Sequence, residues 1–117
     1  MKILSDCIFC KIIAGEIPGD IVYQDDKVIA INDIDPKAPV HILIMPKEHI
    51  SSLNEVDENN RDIVSHSFMV AKKLAETKGM AEKGFRVVNN CGTEGGQTVG
   101  HIHFHLMGGR NMSWPPG

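Results

Sequence analysis

Through the first half of the chain, apolar residues come in runs of three to five, broken by polar or proline-containing stretches. Ile21-Val22-Tyr23 and Val28-Ile29-Ala30-Ile31 flank the polar stretch Gln24-Asp25-Asp26-Lys27, the pattern of a β-hairpin. Pro36 and Pro39 force residues 33–39 into a loop, because proline donates no ladder hydrogen bond. His41-Ile42-Leu43-Ile44-Met45 then reads as a further strand, closed by Pro46. Beyond it the period changes. Ser52 and Glu55 have capping-box spacing for a helix of a turn or two. Asp57 is placed to cap a longer helix on which Val64, Phe68, Ala71 and Ala75 recur at steps of four and three, along one face. Lys72, Lys73 and Lys78 gather toward its C-terminal end, where positive charge complements the helix dipole, and Gly79 stops it. Residues 85–89 and 101–107 read as two more strands, with Gly92, Gly95 and Gly96 in the loop between them. The pattern predicts an α+β domain over residues 1–117: an antiparallel sheet of about five strands, one long helix and one short helix.

Charge narrows the function classes. Fifteen acidic residues against twelve Lys/Arg give a net charge of −3, which argues against a nucleic-acid partner held by phosphate neutralisation. No apolar run approaches the roughly 20 residues of a membrane-spanning helix, so no membrane partner is expected. Asp6 and Lys11 interrupt any signal-like stretch, and three cysteines make an odd count, so a reducing, cytoplasmic location is expected.

The chemistry concentrates near the end of the chain. In a strand, side chains alternate between faces, so Ile102, Phe104 and Leu106 point into a core while His101, His103 and His105 form a row on the other side. Residues 95–117 contain no Asp or Glu, which favours an anionic ligand, and the Gly95-Gly96 loop offers backbone N–H groups that approach oxygens closely. Neutral imidazole is a competent nucleophile toward phosphorus at neutral pH. Alternation alone leaves metal binding, anion binding and reaction all open. Cys7-x-x-Cys10 has the spacing for two thiolates on one zinc ion, and equally that of a redox pair or two buried thiols.

His-Ile-His-Phe-His-Leu-Met at 101–107 resembles the histidine-triad motif, and the likeness extends along the chain. Cys7 to Ile13, Asp33-Ile34 with Pro36 and Ala38-Pro39, His41, Pro46-Lys47-Glu48-His49, Val88-Asn89 and Trp114-Pro115-Pro116-Gly117 all resemble the Hint-like branch of that family. The resemblance implies a purine nucleoside phosphoramidate hydrolase working through a nucleotidyl-histidine intermediate. His103 would be the nucleophile. His105 and Gln97, with Gly96 beside them, would hold phosphate oxygens, and Thr98 would sit by the leaving group. His41 and Asn89 would support the pocket, Asp33 would bind the ribose hydroxyls, and Ile8, Phe9, Ile12 and Ile34 would form the base pocket. It further implies a structural zinc on Cys7, Cys10, His49 and His101, no catalytic cofactor, and a homodimer with the tail at about 108–117 docked at its interface.

The likeness is incomplete in the base pocket, where Ile31 and Asn32 stand in place of the animal Hint proteins' Phe and His. Gly100 replaces an aromatic residue, and the 89–92 loop is one residue longer. A dinucleoside polyphosphate hydrolase and a non-catalytic nucleotide- or zinc-binding module are the alternative readings. The C-terminal Trp-Pro-Pro-Gly favours the Hint-like branch over the first. The intact triad argues against the second, since binding alone needs no nucleophile.

Overall fold

The sheet is assembled in two passes of the chain. The computed structural model describes residues 4–117, so residues 1–3 of the predicted domain lie outside it. After a short helix α1 (Ile8–Ile13), strands β1 (Ile21–Gln24), β2 (Val28–Asn32) and β3 (Val40–Pro46) run as an antiparallel meander. A 3₁₀ turn (Leu53–Glu55) and the long helix α2 (Asp62–Thr77) follow, then β4 (Phe85–Asn89) and β5 (Phe104–Gly108). The strand order is β1-β2-β3-β5-β4, so the last strand inserts beside β3 and leaves β1 and β4 at the edges.

Strand alternation divides the apolar residues between two cores. Val28, Ala30, Ile42, Ile44, Ile102, Phe104 and Leu106 face α2 and pack against its Val70, Ala71, Leu74 and Ala75. On the opposite side Ile29, Ile31, Leu43 and Met45 pack under α1, against Cys7, Phe9, Cys10 and Ile12. A polar tie joins α2 to the first hairpin: Asp25 accepts from the Tyr23 hydroxyl at 2.8 Å, from the backbone of Lys27 and Val28, and from His66 Nε2 at 2.7 Å. Burial alone would push the Asp25 carboxyl up, but these donors outweigh it and hold the group well below the usual carboxylate range. None of the described helices is long and apolar enough to cross a membrane.

Four expectations need correction. The long helix begins at Asp62 rather than just after Asp57, because the Asp57 carboxylate is used by the Asn59 amide in a preceding turn. Its buried face centres on Ser67, Val70, Ala71, Leu74 and Ala75, which leaves Phe68 at the rim, 48% exposed, touching Phe104 edge-on. The final strand begins at Phe104, since the Ile102 amide turns away to the Ile50 carbonyl at 2.6 Å, and His101 to His103 form an irregular arm that leads into the sheet. Helix α1 comes from a segment that the periodicity left unassigned: six residues complete too few turns to show an apolar stripe, and a Cys7 thiol caps its start. The helix terminator holds, with Gly79 at φ +75°.

Candidate active site

Pairing of β3 with β5 brings the histidines together. Leu43 stands opposite His105 and His41 opposite Met107, so His41 and His105 are diagonal neighbours on the face that also carries α1. Their rings meet, His41 Nε2 to His105 Nδ1, at 2.9 Å, and Asp33 Oδ2 lies 3.3 Å from the same His41 nitrogen. His103 is buried beside them, with the Phe9 ring edge-on at 5.1 Å between centroids.

Backbone groups fix which nitrogen of each ring carries its proton, because a carbonyl only accepts and an amide only donates. The Lys37 N–H donates to His41 Nδ1 at 3.0 Å, so neutral His41 holds its proton on Nε2 and donates it to His105 Nδ1. His105 therefore carries its own proton on Nε2. His103 Nδ1 donates to the His101 carbonyl at 2.8 Å, which leaves an unshared pair on His103 Nε2. Burial pushes the His103 imidazole below its ordinary value, keeping the ring neutral and that pair free at neutral pH. The row thus offers one nucleophilic nitrogen beside one N–H donor.

A second cluster lies under α1. The donor atoms of Cys7, Cys10, His49 and His101, all buried, fall within 4.8 Å of one another. His101 Nε2 donates to the Pro46 carbonyl at 2.8 Å, and its Nδ1 pair faces the sulfurs of Cys7 at 3.4 Å and Cys10 at 3.6 Å. His49 Nδ1 is 3.3 Å from the Cys10 sulfur. Tetrahedral zinc with bonds of about 2.0–2.3 Å separates its ligands by roughly 3.3–3.8 Å, the spacing that the Cys7–His101, Cys10–His101 and Cys10–His49 pairs hold. Burial pushes His101 down to about 4, so its ring is neutral and free to ligate. The donor set fits a metal, and with all four positions supplied by protein it fits a closed site.

The HIT domain model matches residues 14–112, most of the chain. The chain belongs to the HIT family. It is similar to a HIT family hydrolase from Legionella pneumophila, with 48% identity and a TM-score of 0.94 over 96% of this chain and all of that one. Among curated relatives, the adenylylsulfatase HINT1 of Arabidopsis thaliana is 50% identical over 97% of this chain and 78% of its own. A 14 kDa zinc-binding protein of Brassica juncea is 50% identical over 96% of this chain and the whole of its own.

In this HIT protein the remaining expected site residues are distributed unevenly. Phe9 and Ile12 are buried under the row, whereas Ile8 is half exposed and Ile34 is 98% exposed. Asp33 Oδ1 accepts from the Asp35 amide at 2.8 Å while its other oxygen faces His41. Asn89 Nδ2 donates to the His103 carbonyl at 2.9 Å, and its Oδ1 is buried without a partner among the described residues. Gln97 is engaged in bracing the glycine loop: its amide nitrogen donates to the Ser51 and Val99 carbonyls at 2.8 and 3.0 Å, and its oxygen accepts from Gly92. The Gly96 amide donates to the Thr93 carbonyl, and Thr98 is exposed on the same loop. Three contributors carry no sequence signal, because they are main-chain groups: the Lys37 amide and the carbonyls of His101 and Pro46.

The buried row also makes stability depend on pH. Burial, reinforced by the His103 and His41 rings, pushes the His105 imidazole down to about 4. An unfolded histidine takes a proton below about 6.5. Between these values the unfolded chain binds more protons than the folded one, so stability falls as pH drops through the window. The His105 share at pH 5 is about 2 kcal/mol. Urea unfolding of wild type and His105→Gln at pH 7 and pH 5 measures it, the wild type losing the larger amount. Equal losses in the two proteins would remove His105 as the source.

Proposed function

We propose that this protein hydrolyses purine nucleoside phosphoramidates through a nucleotidyl intermediate on His103. The carrying observation is the His103 Nδ1 bond to the His101 carbonyl at 2.8 Å, which aims an unshared Nε2 pair into the site. That pair attacks the α-phosphorus. A P–N bond to the ring forms as the P–N bond to the amine breaks, and the amine leaves with a proton drawn from solvent that the attacking water later returns. Water then attacks the same phosphorus, the ring nitrogen regains its pair, and nucleoside monophosphate departs. His105 Nε2–H, oriented through His41, stabilises charge on the phosphoryl oxygens. In this reading Asp33 binds the ribose hydroxyls, and the exposed Ile8 and Ile34 with Phe9 and Ile12 supply an apolar wall for the base. Gly96, Gln97, Thr98 and Asn89 complete the pocket in this reading. Zinc on Cys7, Cys10, His49 and His101 is a brace, and the chemistry needs no further cofactor.

The Arabidopsis relative's name favours a second substrate, adenylyl sulfate, in which sulfate leaves in place of the amine. A panel of adenosine phosphoramidate, guanosine phosphoramidate, adenylyl sulfate and diadenosine polyphosphates, ranked by kcat/KM, tests both readings. The phosphoramidates are expected to lead. A preference for adenylyl sulfate would move the substrate assignment, and one for dinucleotides would overturn it.

A homodimer belongs to the same proposal. Strand β4 is an edge of the sheet, and Phe85 on it, with Phe68 and Met69 on α2 and Trp114 in the tail, is 39–83% exposed. Pairing two copies would cover an unpaired edge and large apolar side chains together. Sedimentation equilibrium at micromolar concentration is expected to give twice 12.9 kDa, and a persistent monomer would refute it.

A further inference from the structure

Apart from histidine, residues 95–117 contain one ionisable side chain, Arg110, and the chemistry above gives it no task. It follows β5 at a close approach. Gly109, at φ +92°, lies so near Pro39 that a Cβ there would come within 2.9 Å of the proline's own. Only glycine tolerates both the backbone angle and the contact. The contact seats the tail on the 33–39 loop. From there the Arg110 guanidinium donates twice to the Lys37 carbonyl, from Nε at 3.0 Å and Nη2 at 2.9 Å, while Nη1 donates to the Asn111 carbonyl at 3.0 Å. Lys37 is the residue whose amide occupies His41 Nδ1. Its side chain turns away to Asp35, so the main chain alone makes this link.

We propose that Arg110 is a positioning residue for the hydrolysis. By clamping the Lys37 carbonyl from outside, it keeps the Lys37 amide on His41 Nδ1. His41 is thereby held with its proton on Nε2, and His105 with its proton on the nitrogen that faces the substrate. A guanidinium suits the task because it stays protonated across the working pH range and presents its donors in a rigid fork. Without the clamp the exposed loop retracts its amide. His41 Nδ1 then competes for the ring proton, and whenever it wins, His105 loses the donor to its Nδ1 and populates the wrong tautomer. The effect on turnover rests on the phosphoramidate reading, while the tautomer effect belongs to the free protein.

Imidazole nitrogen resonances of ¹⁵N-labelled wild type, Arg110→Ala and Arg110→Lys test the clamp without substrate. In Arg110→Ala the His41 and His105 nitrogens are expected to shift toward mixed tautomers while those of His103 keep their positions. Arg110→Lys, with one donor kept on the carbonyl, should fold like wild type and fall between. On adenosine phosphoramidate, Arg110→Ala is expected to lose about tenfold to a hundredfold in kcat/KM. Added to His105→Ala it should cost nothing further, because the clamp acts through that ring. Unchanged His41 and His105 spectra in both variants, or losses that add to those of His105→Ala, would overturn the proposal. A wild type inert toward every phosphoramidate would overturn the functional reading instead, and the spectra would still decide the clamp.

Discussion

Replacing His103 with alanine is expected to lower phosphoramidate turnover by at least about a thousandfold while nucleoside monophosphate still binds. The size of the effect follows from how the other nitrogens of the row are committed. His41 accepts at Nδ1 and donates from Nε2, and His105 accepts at Nδ1 and so holds a proton on Nε2. His101 donates from Nε2, and its other nitrogen faces sulfur. None of these rings presents an unshared pair to a phosphorus beside His103. Binding is expected to survive because the proposed ribose and base contacts are made by other side chains, Asp33 and the apolar wall. His105→Ala should differ in kind, weakening binding and rate together, since a phosphate donor acts in ground and transition states alike. Rapid quenching under conditions that preserve phosphoramidate bonds, followed by intact-mass analysis, should show a nucleotidyl adduct on wild type and none on His103→Ala. Substantial turnover by the variant, or an adduct mapped to another residue, would place the nucleophile elsewhere.

Much of this arrangement was legible because it depends on periodicity. The polar stretch 24–27 between two apolar runs marked the first hairpin, and residues 85–89 are β4 as the pattern predicted. Alternation put Ile102, Phe104 and Leu106 in the core and the histidines on the far side, as found, although regular pairing starts only at Phe104. What stayed hidden depends on pairing in space or on the main chain. No spacing rule says that residue 41 meets residue 105, since that follows from the register of β3 on β5. The tautomers hang on two carbonyls and one amide, groups every residue possesses. Gln97 shows the converse. Its place in the motif suggested a phosphate contact, but in the free protein its amide is fully occupied in holding the glycine loop. The two Cys and two His of the second cluster are scattered over 95 positions, so resemblance rather than spacing joined them.

Cys10→Ser is expected to separate stability from chemistry. The cluster ties α1 to the end of β3 and to the segment before β5, adding to the packing of Phe9, Cys10 and Ile12, the buried side chains of α1. A metal bound by the folded protein alone, at 100 times its dissociation constant, stabilises by about 2.7 kcal/mol. For a chain of this size, losing that much corresponds to a fall in Tm of about 10 °C. In chelated wild type, burial raises the Cys10 thiol above its ordinary value, so it stays protonated and leaves no buried negative charge to disrupt the fold. His103 is insulated from the loss. His101 is anchored through Nε2 to the Pro46 carbonyl, a bond that does not involve the metal-facing nitrogen, and its own carbonyl keeps hold of His103 Nδ1. Zinc content should therefore fall below one per chain and the melt should move down, while turnover at 20 °C remains within about twofold of wild type. Metal analysis of freshly purified protein, melts with and without chelator, and kcat at that temperature supply the three readings. If removing stoichiometric zinc from wild type abolished turnover and left the melt unchanged, the ion would be catalytic and the bracing role would be wrong.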